Sequence, residues 1–298
     1  MRVLILRTWS TSCDPICQSL RSVGADTEEI SYNLREIDQA GLPAFVASRN
    51  PDWVLFIGTS DHGGEIVPSR DALRLIASER PLVHLCCDGS EEDWYPQLDW
   101  YVAHGGFALS VNIDGVALGP MAHGGRCWTT LCPIDPAPFR PLPWGERSVP
   151  LGFCGGWGPG HPRKDIVEDL AGRGLLTAVK RPFTNYAGYR DFLCSCRGVW
   201  NSALTGSAVR RHVKARVVEA GLAGAILFEE EAAPTRDYFT PGEDYLQWGS
   251  VDDVVRGLEW MRESPESARA MAARMRSRVI SQYAAKPFWN EGFRRAGL

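Results

Sequence analysis

The stretch "RRHVKARVVEAGLAGAILFEEE", residues 210–231, contains the pattern that decides the fold of this chain. Up to Gly224 it has the small and β-branched residues of a packed helix, and "AILF" then has the character of a buried strand. Short apolar runs alternate with helical patterns in this way along almost the whole sequence. Such alternation is typical of βαβ units, so we predict an α/β fold with parallel sheets.

Other strands and helices follow from the same signals. The runs "RVLILR", "DWVLFIG" and "PLVHLCC" predict strands, and "SRDALRLIASER" predicts a helix between the last two. The pattern "DPICQSLRSVGA" predicts a helix with Asp14 as N-cap and Gly24 as its stop. Near the end, "SVDDVVRGLEWM" and "SPESARAMAARMRSRVISQYAAKPFWNEGF" predict helices capped by Ser250 and Ser264.

A proline-rich segment divides the chain into two parts. Residues 132–150 contain six prolines and show no clear period, which is typical of a linker. Immediately after it, "LGFCGG" begins the alternation of strands and helices again. A chain of 298 residues is long enough for two domains. We therefore predict an N-terminal domain over 1–140 and a C-terminal domain over 141–280.

Composition excludes some classes of function. The net charge is −4 and 44% of the residues are apolar, which argues against a protein that binds polyanions over its whole surface. No run approaches the 18 or so apolar residues that a membrane span needs. The nine cysteines are odd in number and lack recurring CxxC pairs, so we expect free thiols in a reducing cytoplasm.

Ligands of open α/β sheets bind beyond the carboxyl ends of the strands. Two loops at such positions, "GGWGPGHPR" and "NSALTGS", are rich in glycine and small hydroxyl residues, which allows backbone N–H groups to approach a phosphate. They contain Gly155 and Gly156, and Asn201, Gly206 and Ser207. Neither a GxGxxG after the first strand nor a P-loop is present, so simple dinucleotide or P-loop binding is not predicted.

The histidines suggest one catalytic candidate and no metal site. In "TSDHGGE" the neighbours Asp61 and His62 have the composition of a general base with an orienting carboxylate, and equally that of a polar turn. His84 lies within a predicted strand and is expected to be a hydrogen-bonded core residue. The remaining histidines lack a regular ligand spacing, so no metal ion is expected.

Glu219 is an isolated carboxylate among Ala, Gly and Val. One interpretation is an ion pair with Arg216, three residues before it on the helix. The other is that the carboxylate accepts hydrogen bonds from the vicinal hydroxyls of a ribose. The "LTGS" loop would then hold a diphosphate, helped by the helix dipole and by Lys214 or Arg216. The sequence pattern leaves both interpretations open.

The C-terminal half also resembles a known family. The pieces "KARVVEAGLAGAILF", "YFTPGEDYLQW" and "SVDDVV", in this order, together with "LGFCGG" and "YAGYRDFLCSCRGVWN" upstream, resemble the GT-B glycosyltransferases of group 1, in the branch of spore-maturation-protein-B-like proteins. The resemblance covers roughly 150–285 and is thin before that. It implies two Rossmann-like domains facing across a cleft, and a terminal helix over 281–298 that packs back on the N-terminal domain.

The resemblance also implies roles for residues. Glu219 matches the glutamate that binds the nucleotide ribose, while Lys214, Arg216, Ser207 and Arg163 match by neighbourhood as diphosphate contacts. The donor is expected to be a UDP- or GDP-sugar, used without a metal or other cofactor.

One departure from the family concerns the stereochemistry of the reaction. Many retaining members have a second glutamate eight positions before the ribose glutamate, where this chain has Arg211. If the reaction inverts the anomeric centre, a base must come from the N-terminal domain. Asp61 or His62 is then our candidate, and Asp88 the third.

Two alternatives share this expected fold. One is a sugar-nucleotide epimerase or hydrolase, and the other is a protein that binds a nucleotide-sugar without catalysis. The acceptor is open: a saccharide, a protein or a small molecule is expected before a nucleic acid, although a modified DNA base is among the acceptors of GT-B enzymes. The basic runs "RRHVKAR" and "RMRSR" are interpreted as solvated helix faces rather than as a polyanion site.

Overall fold

The computed structural model describes residues 1–7, 13–31, 40–58, 68–86, 95–116, 126–180, 185–204 and 210–298. The chain separates into two compact units, Met1–Asp135 with Ala285–Leu298, and Pro136–Ala284. Within the described ranges, no helix is both long enough and apolar enough to cross a membrane.

The first unit contains a parallel sheet whose strands are β1 (Arg2–Arg7), β2 (Asp26–Ser31), β3 (Trp53–Ile57), β4 (Leu82–Cys86), β5 (Leu109–Asn112) and β6 (Cys127–Thr129). Their order in the sheet is β2-β1-β3-β4-β5-β6, and every neighbouring pair is parallel. The helices along this part of the chain are α1 (Asp14–Ser22), α2 (Leu42–Arg49), α3 (Arg70–Glu79) and α4 (Tyr95–Ala103). The residues of β3, β4 and β5 are all buried, which explains the continuous apolar run of β3 and the nearly continuous one of β4.

Two sequence predictions in this unit have different outcomes. His84 is fully buried and its ring nitrogens lie 2.9 Å from Ser110 Oγ and 2.6 Å from the Gly58 carbonyl oxygen, so the predicted core histidine is confirmed. Burial lowers its pKa to about 4, which keeps the ring neutral. The predicted N-cap Asp14 is wrong, because the cap position is Cys13 and Asp14 is already helical. The Asp14 carboxylate accepts a hydrogen bond from Arg7 at 2.7 Å instead.

The second unit contains a five-stranded parallel sheet formed by β7 (Val149–Gly155), β8 (Thr177–Lys180), β9 (Cys196–Trp200), β10 (Ile226–Glu230) and β11 (Leu246–Trp248). The order is β11-β10-β9-β7-β8. The helices are α5 (Lys164–Gly172), α6 (Tyr186–Ser195), α7 (Ala215–Leu222), α8 (Val251–Glu263) and α9 (Pro265–Gln282). Ser250 caps α8 with a complete capping box, as its sequence predicts, whereas Ser264 at the start of α9 makes no side-chain cap hydrogen bond.

The last helix, α10 (Ala285–Ala296), belongs to the first unit. The residue pattern over 264–293 predicted a helix without a break, whereas the resemblance implied a separate terminal helix over 281–298. The chain breaks between α9 and α10, where the Ala285 N–H donates to the Ile134 carbonyl. Trp289 is buried against Trp53 and its Nε1 donates to Ser19 Oγ of α1 at 2.9 Å. The aromatic residues near the chain end are therefore covered by the first sheet and α1.

The proline-rich segment places a cation, Arg147, in the interior in spite of its irregular backbone. The guanidinium donates to four carbonyls, those of Leu142, Cys196, Ala223 and Gly224. The last two belong to the end of α7, where a cation complements the helix dipole. Burial lowers the pKa of Arg147, and these four acceptors compensate for the water that it loses.

Helices α7 and α9 approach closely at Gly221. A Cβ atom there would lie 2.7 Å from Val279 Cγ2, so glycine permits this packing. At the exposed Gly172, in the last turn of α5, a Cβ atom would meet nothing within 4 Å.

We expect Gly221→Ala to lower the free energy of unfolding by about 1–3 kcal/mol, because the new methyl group overpacks the helix contact. Gly172→Ala is the matched control and should raise it by about 0.5–1 kcal/mol, because the unfolded chain loses freedom. Urea denaturation followed by far-UV circular dichroism measures both. Equal effects from the two substitutions would contradict the close packing of α7 on α9.

Candidate functional site

The carboxyl edge of the second sheet has a topological switch point between β7 and β9. After β7 the chain passes to β8 on one side, and then returns to β9 on the other side of β7. Ligands of open α/β folds bind in the crevice at such a point. The sequence elements that meet there are the end of β7, the residues after β9, and α7.

Arg216 of α7 lies at this switch point, and its contacts are within the protein. Nη1 donates to Asn201 Oδ1 at 2.8 Å, Nη2 donates to the Cys154 carbonyl, and the guanidinium lies 4.9 Å from the centre of the Phe153 ring. A Cβ atom at Gly155 would lie 3.2 Å from Arg216 Nη2 and closer still to the Phe153 ring. The local role of Gly155 in this structure is therefore to leave room for Arg216, while at Gly156 a Cβ atom would have open space.

Asn201 connects Arg216 to a second buried carboxylate. Its Nδ2 donates to both oxygens of Glu229, at 3.1 and 2.9 Å. Thr235 Oγ1 and the Glu230 N–H also donate to this carboxylate, at 3.2 and 3.1 Å. Burial raises the pKa of Glu229 to about 7, although the Asn201 amide and the other donors favour the ionised form. Both ends of the Asn201 amide are thus used within the protein.

Glu219 lies in the middle of α7 and is 5% exposed. The Tyr186 hydroxyl donates to its Oε1 at 2.9 Å and the Tyr189 hydroxyl to its Oε2 at 2.8 Å. Burial raises the pKa of Glu219, while the two tyrosines and the charge of Arg216 act in the opposite direction.

The predicted start of that helix at 210 is wrong, because α7 begins only at Ala215. The His212 N–H donates to the Ala203 carbonyl, and Arg211 forms a bridge with Leu204, so this segment pairs with the chain after β9 instead of coiling. Lys214 occupies the N-cap position, and its Nζ lies 2.5 Å from His212 Nε2. Burial, and then the charges of Lys214 and Arg163, lower the pKa of His212 to about 3.

A pocket of about 570 Å³ opens beside this network, within the second unit. Its walls come from the start of α5 and from the chain after β9, β10 and β11: Pro162, Arg163, Ile166, Ser202, Leu204, Arg211, Glu230, Glu231, Ala232, Arg236, Trp248 and Gly249. Of the donor-binding candidates that the structure describes, Arg163 is the one in this lining.

Arg163 is the most buried cation of the pocket, at 7% exposure. Its Nη2 donates to the Leu204 carbonyl at 3.0 Å, and among the described residues its Nε has no hydrogen-bond partner. Burial and the neighbouring charge of Arg216 lower its pKa to about 10, against the attraction of Glu230. A buried guanidinium with unused donor capacity favours an anionic ligand.

Arg211 and Glu230 also line the pocket as an ion pair, which the sequence pattern did not indicate. Arg211 Nε donates to Glu230 Oε1 at 2.7 Å. The other oxygen of Glu230 accepts from Ser202 Oγ and from the Ala203 N–H, both at 3.1 Å. Glu230 thus has three donors, and Arg211 is held against the pocket wall. The position of Glu230 at the carboxyl end of the predicted strand β10 could have indicated a site residue.

Several candidates cannot be placed. Asp61 and His62, the third candidate Asp88, and the loop residues Gly206 and Ser207 lie outside the described residues. Among the cysteines that the structure describes, none forms a disulfide, and nearly all of them are buried. In the same part of the chain, no cluster of three or more His, Cys, Asp or Glu side chains is placed to hold a metal ion.

Solved structures show which fold the two Rossmann-like units define. HepE from Anabaena in complex with UDP matches over 100% of both chains, with a TM-score of 0.64 and 12% sequence identity. A glycosyltransferase from Rickettsia africae covers 99% of this chain and 97% of its own, with a TM-score of 0.65 and 8% identity. Sucrose-phosphate synthase from Thermosynechococcus elongatus covers 99% of both, with a TM-score of 0.60 and 11% identity. The chain has the GT-B fold, as predicted.

The family comparison concerns the second unit. Residues 154–289 match the family described as "Glycosyl transferase-like". This range runs from the end of β7 into α10, and it contains Arg163, Asn201, Arg211, Glu219 and most of the network around them. Among curated proteins, none matches this chain. The pocket described above lies within this matched segment.

The raised pKa of Glu229 predicts a pH dependence of stability. Its ordinary pKa is 4.5 and its folded value is about 7, so the folded protein binds more protons than the unfolded chain between these values. Stability should therefore fall as the pH rises from about 4.5 to about 7, by up to roughly 3 kcal/mol, and the contribution of this group should be constant above.

Glu229→Gln should flatten this slope, and the exposed Glu259→Gln should leave it unchanged. Urea denaturation at several pH values measures the slope independently of any constant loss of stability. A variant slope equal to that of the unchanged protein would mean that Glu229 is ionised throughout this range.

Proposed function

We propose that this chain is a glycosyltransferase that moves a sugar from a nucleoside-diphosphate sugar to an acceptor hydroxyl. The observation that carries the proposal is the buried Arg163 guanidinium facing a pocket of about 570 Å³ within the matched segment. The Anabaena HepE structures hold UDP, UDP with glucose, or UDP-glucose, which supports a nucleotide-sugar as donor. A UDP- or GDP-sugar is our expected donor.

The contacts in the second unit suggest which residues would bind each part of the donor. Among the described residues, three cations line the pocket, Arg163, Arg211 and Arg236. We assign the diphosphate to Arg163 and Arg211, because Arg163 is buried and Arg211 is held beside it by Glu230. Lys214 and Arg216 would add positive charge near the diphosphate without contacting it directly. The Arg216 guanidinium already donates to Asn201 and to the Cys154 carbonyl, and Lys214 Nζ lies against His212. Glu219 is assigned to the ribose. The loop with Gly206 and Ser207 would complete the phosphate contacts, together with backbone N–H groups near Gly156.

The transfer step needs stabilisation of the departing diphosphate and, for inversion, a base. Guanidinium groups held in a fixed position stabilise developing negative charge effectively. Arg163 and Arg211 would do this without a metal ion. Arg211 stands where a retaining member has its second glutamate, which favours inversion with Asp61 or His62 as the base. We further propose membership of the spore-maturation-protein-B-like branch, on the segments quoted above.

The proposed reaction is tested by following both products of a donor sugar. Incubation with UDP-, GDP-, dTDP- and CMP-sugars, screened first by thermal shift, should identify one donor that raises the unfolding temperature, because a ligand bound only by the folded state stabilises it. With candidate acceptors, a new glycoside and a free nucleoside diphosphate should appear together. An epimerised sugar nucleotide, or hydrolysis that acceptors do not redirect, would favour the epimerase or hydrolase instead. Binding without turnover would favour a protein that has lost catalysis.

The role of Glu219 is tested by Glu219→Ala. We expect the thermal shift caused by the donor nucleotide to disappear, because the ribose hydroxyls lose their acceptor. Circular dichroism and the unfolding temperature without ligand should show that the fold is intact. Glu259→Ala on the exposed side of α8 is the matched control and should bind as the unchanged protein does. If Glu219→Ala bound the nucleotide equally well, the carboxylate would have only a structural role.

A further inference from the structure

The carboxylate of Glu219 is held by two hydroxyl groups from one neighbouring helix. Tyr186 and Tyr189 are three residues apart on α6, so their rings lie on one face of that helix, with centroids 5.9 Å apart. One hydroxyl donates to each carboxylate oxygen, at 2.9 and 2.8 Å. Each oxygen of an ionised carboxylate has about two acceptor positions, so one position on each oxygen remains. Two acceptor positions side by side match the two hydroxyls of a vicinal diol.

The charged state of Glu219 depends on these donors. Burial raises the pKa of Glu219, and the hydroxyls of Tyr189 and Tyr186 and the charge of Arg216 lower it. Another titratable group that faces Glu219 is the Cys154 thiol of β7, whose own pKa is raised by burial. The Tyr189 hydroxyl also faces Arg216. Removing either hydroxyl would therefore leave the carboxylate easier to protonate and without a fixed orientation.

We propose that Tyr186 and Tyr189 are positioning residues that orient Glu219 toward a ribose diol and so make the site selective for ribonucleotides over 2′-deoxyribonucleotides. This inference rests on the proposed function, because it takes Glu219 as the ribose contact. A purely structural role, in which the tyrosine rings only pack α6 on α7, is the competing explanation. Tyrosine to phenylalanine substitutions separate the two, because they keep the ring and remove the hydroxyl.

The test measures binding of UDP and GDP, each beside its 2′-deoxy counterpart, by isothermal titration calorimetry. The unchanged protein should prefer one ribonucleotide over its deoxy form by roughly tenfold or more, the value of a hydrogen bond to a charged group. Tyr186→Phe and Tyr189→Phe should each reduce this preference several-fold, and the double variant should nearly remove it. Affinity for the deoxy form should change much less.

A pH series provides a readout that packing alone does not move. Ribonucleotide affinity should fall as the pH decreases and Glu219 is protonated. In the double variant this fall should begin at a higher pH, because the carboxylate has lost the two donors that favour its charge. Tyr283→Phe, which removes a hydroxyl elsewhere in the second unit, is the control and should change neither the preference nor the pH profile.

The outcomes distinguish this inference from the proposed function. If the unchanged protein prefers the ribonucleotide and the phenylalanine variants keep the same preference and pH profile, the positioning role is wrong and the donor site stands. If the unchanged protein binds both forms equally, Glu219 does not contact the ribose and this inference is overturned with it. If neither UDP nor GDP binds, the proposed donor site is overturned as well. The single variants keep the test valid if the double variant does not fold.

Discussion

The second unit depends on one half-buried guanidinium, that of Arg216. It joins the end of β7 to the residue that follows β9, because it donates both to the Cys154 carbonyl and to Asn201 Oδ1. Taking a guanidinium out of water costs several kcal/mol unless its N–H groups are paired, so the surrounding residues are constrained to provide acceptors. Because Asn201 accepts from Arg216 and donates to Glu229, it must be an amide. The hydrogen bonds of Arg216, Asn201 and Glu229 thus connect the strands at the switch point of the second sheet.

Several basic residues of this chain join its own elements. In the run "RMRSR", Arg274 donates to the Glu243 carbonyl and Arg276 to the Leu222 carbonyl, while Arg278 pairs with Asp244 at 2.6 Å. In "RRHVKAR", Arg211 pairs with Glu230. The interpretation of these runs as solvated helix faces was therefore too simple. A run of positive charge in a sequence does not reveal whether the fold provides backbone carbonyls as hydrogen-bond acceptors for it.

The sequence predicted the order of strands and helices because each element has its own local pattern. Buried parallel strands such as β3 and β4 are short apolar runs, and Ser250 with Asp253 forms a capping box that depends on four adjacent residues. What failed depends on distant partners. The segment 210–214 is not helical because it pairs with Ala203 and Leu204, and the break before α10 occurs where the chain meets Ile134. The hydrogen bonds of Tyr186 and Tyr189 to Glu219 could not be predicted for the same reason, because both tyrosines lie about 30 positions before Glu219 in the sequence.

The position of α10 affects the order in which the chain can fold during synthesis. The first unit needs residues 285–298, whereas the second unit is complete at Ala284. A growing chain therefore presents every residue of its second unit before Trp289 can cover Trp53 and α1. Domains made early usually fold early on the ribosome. Here the half that is translated first must wait, with an aromatic surface uncovered, until the half translated after it has already emerged.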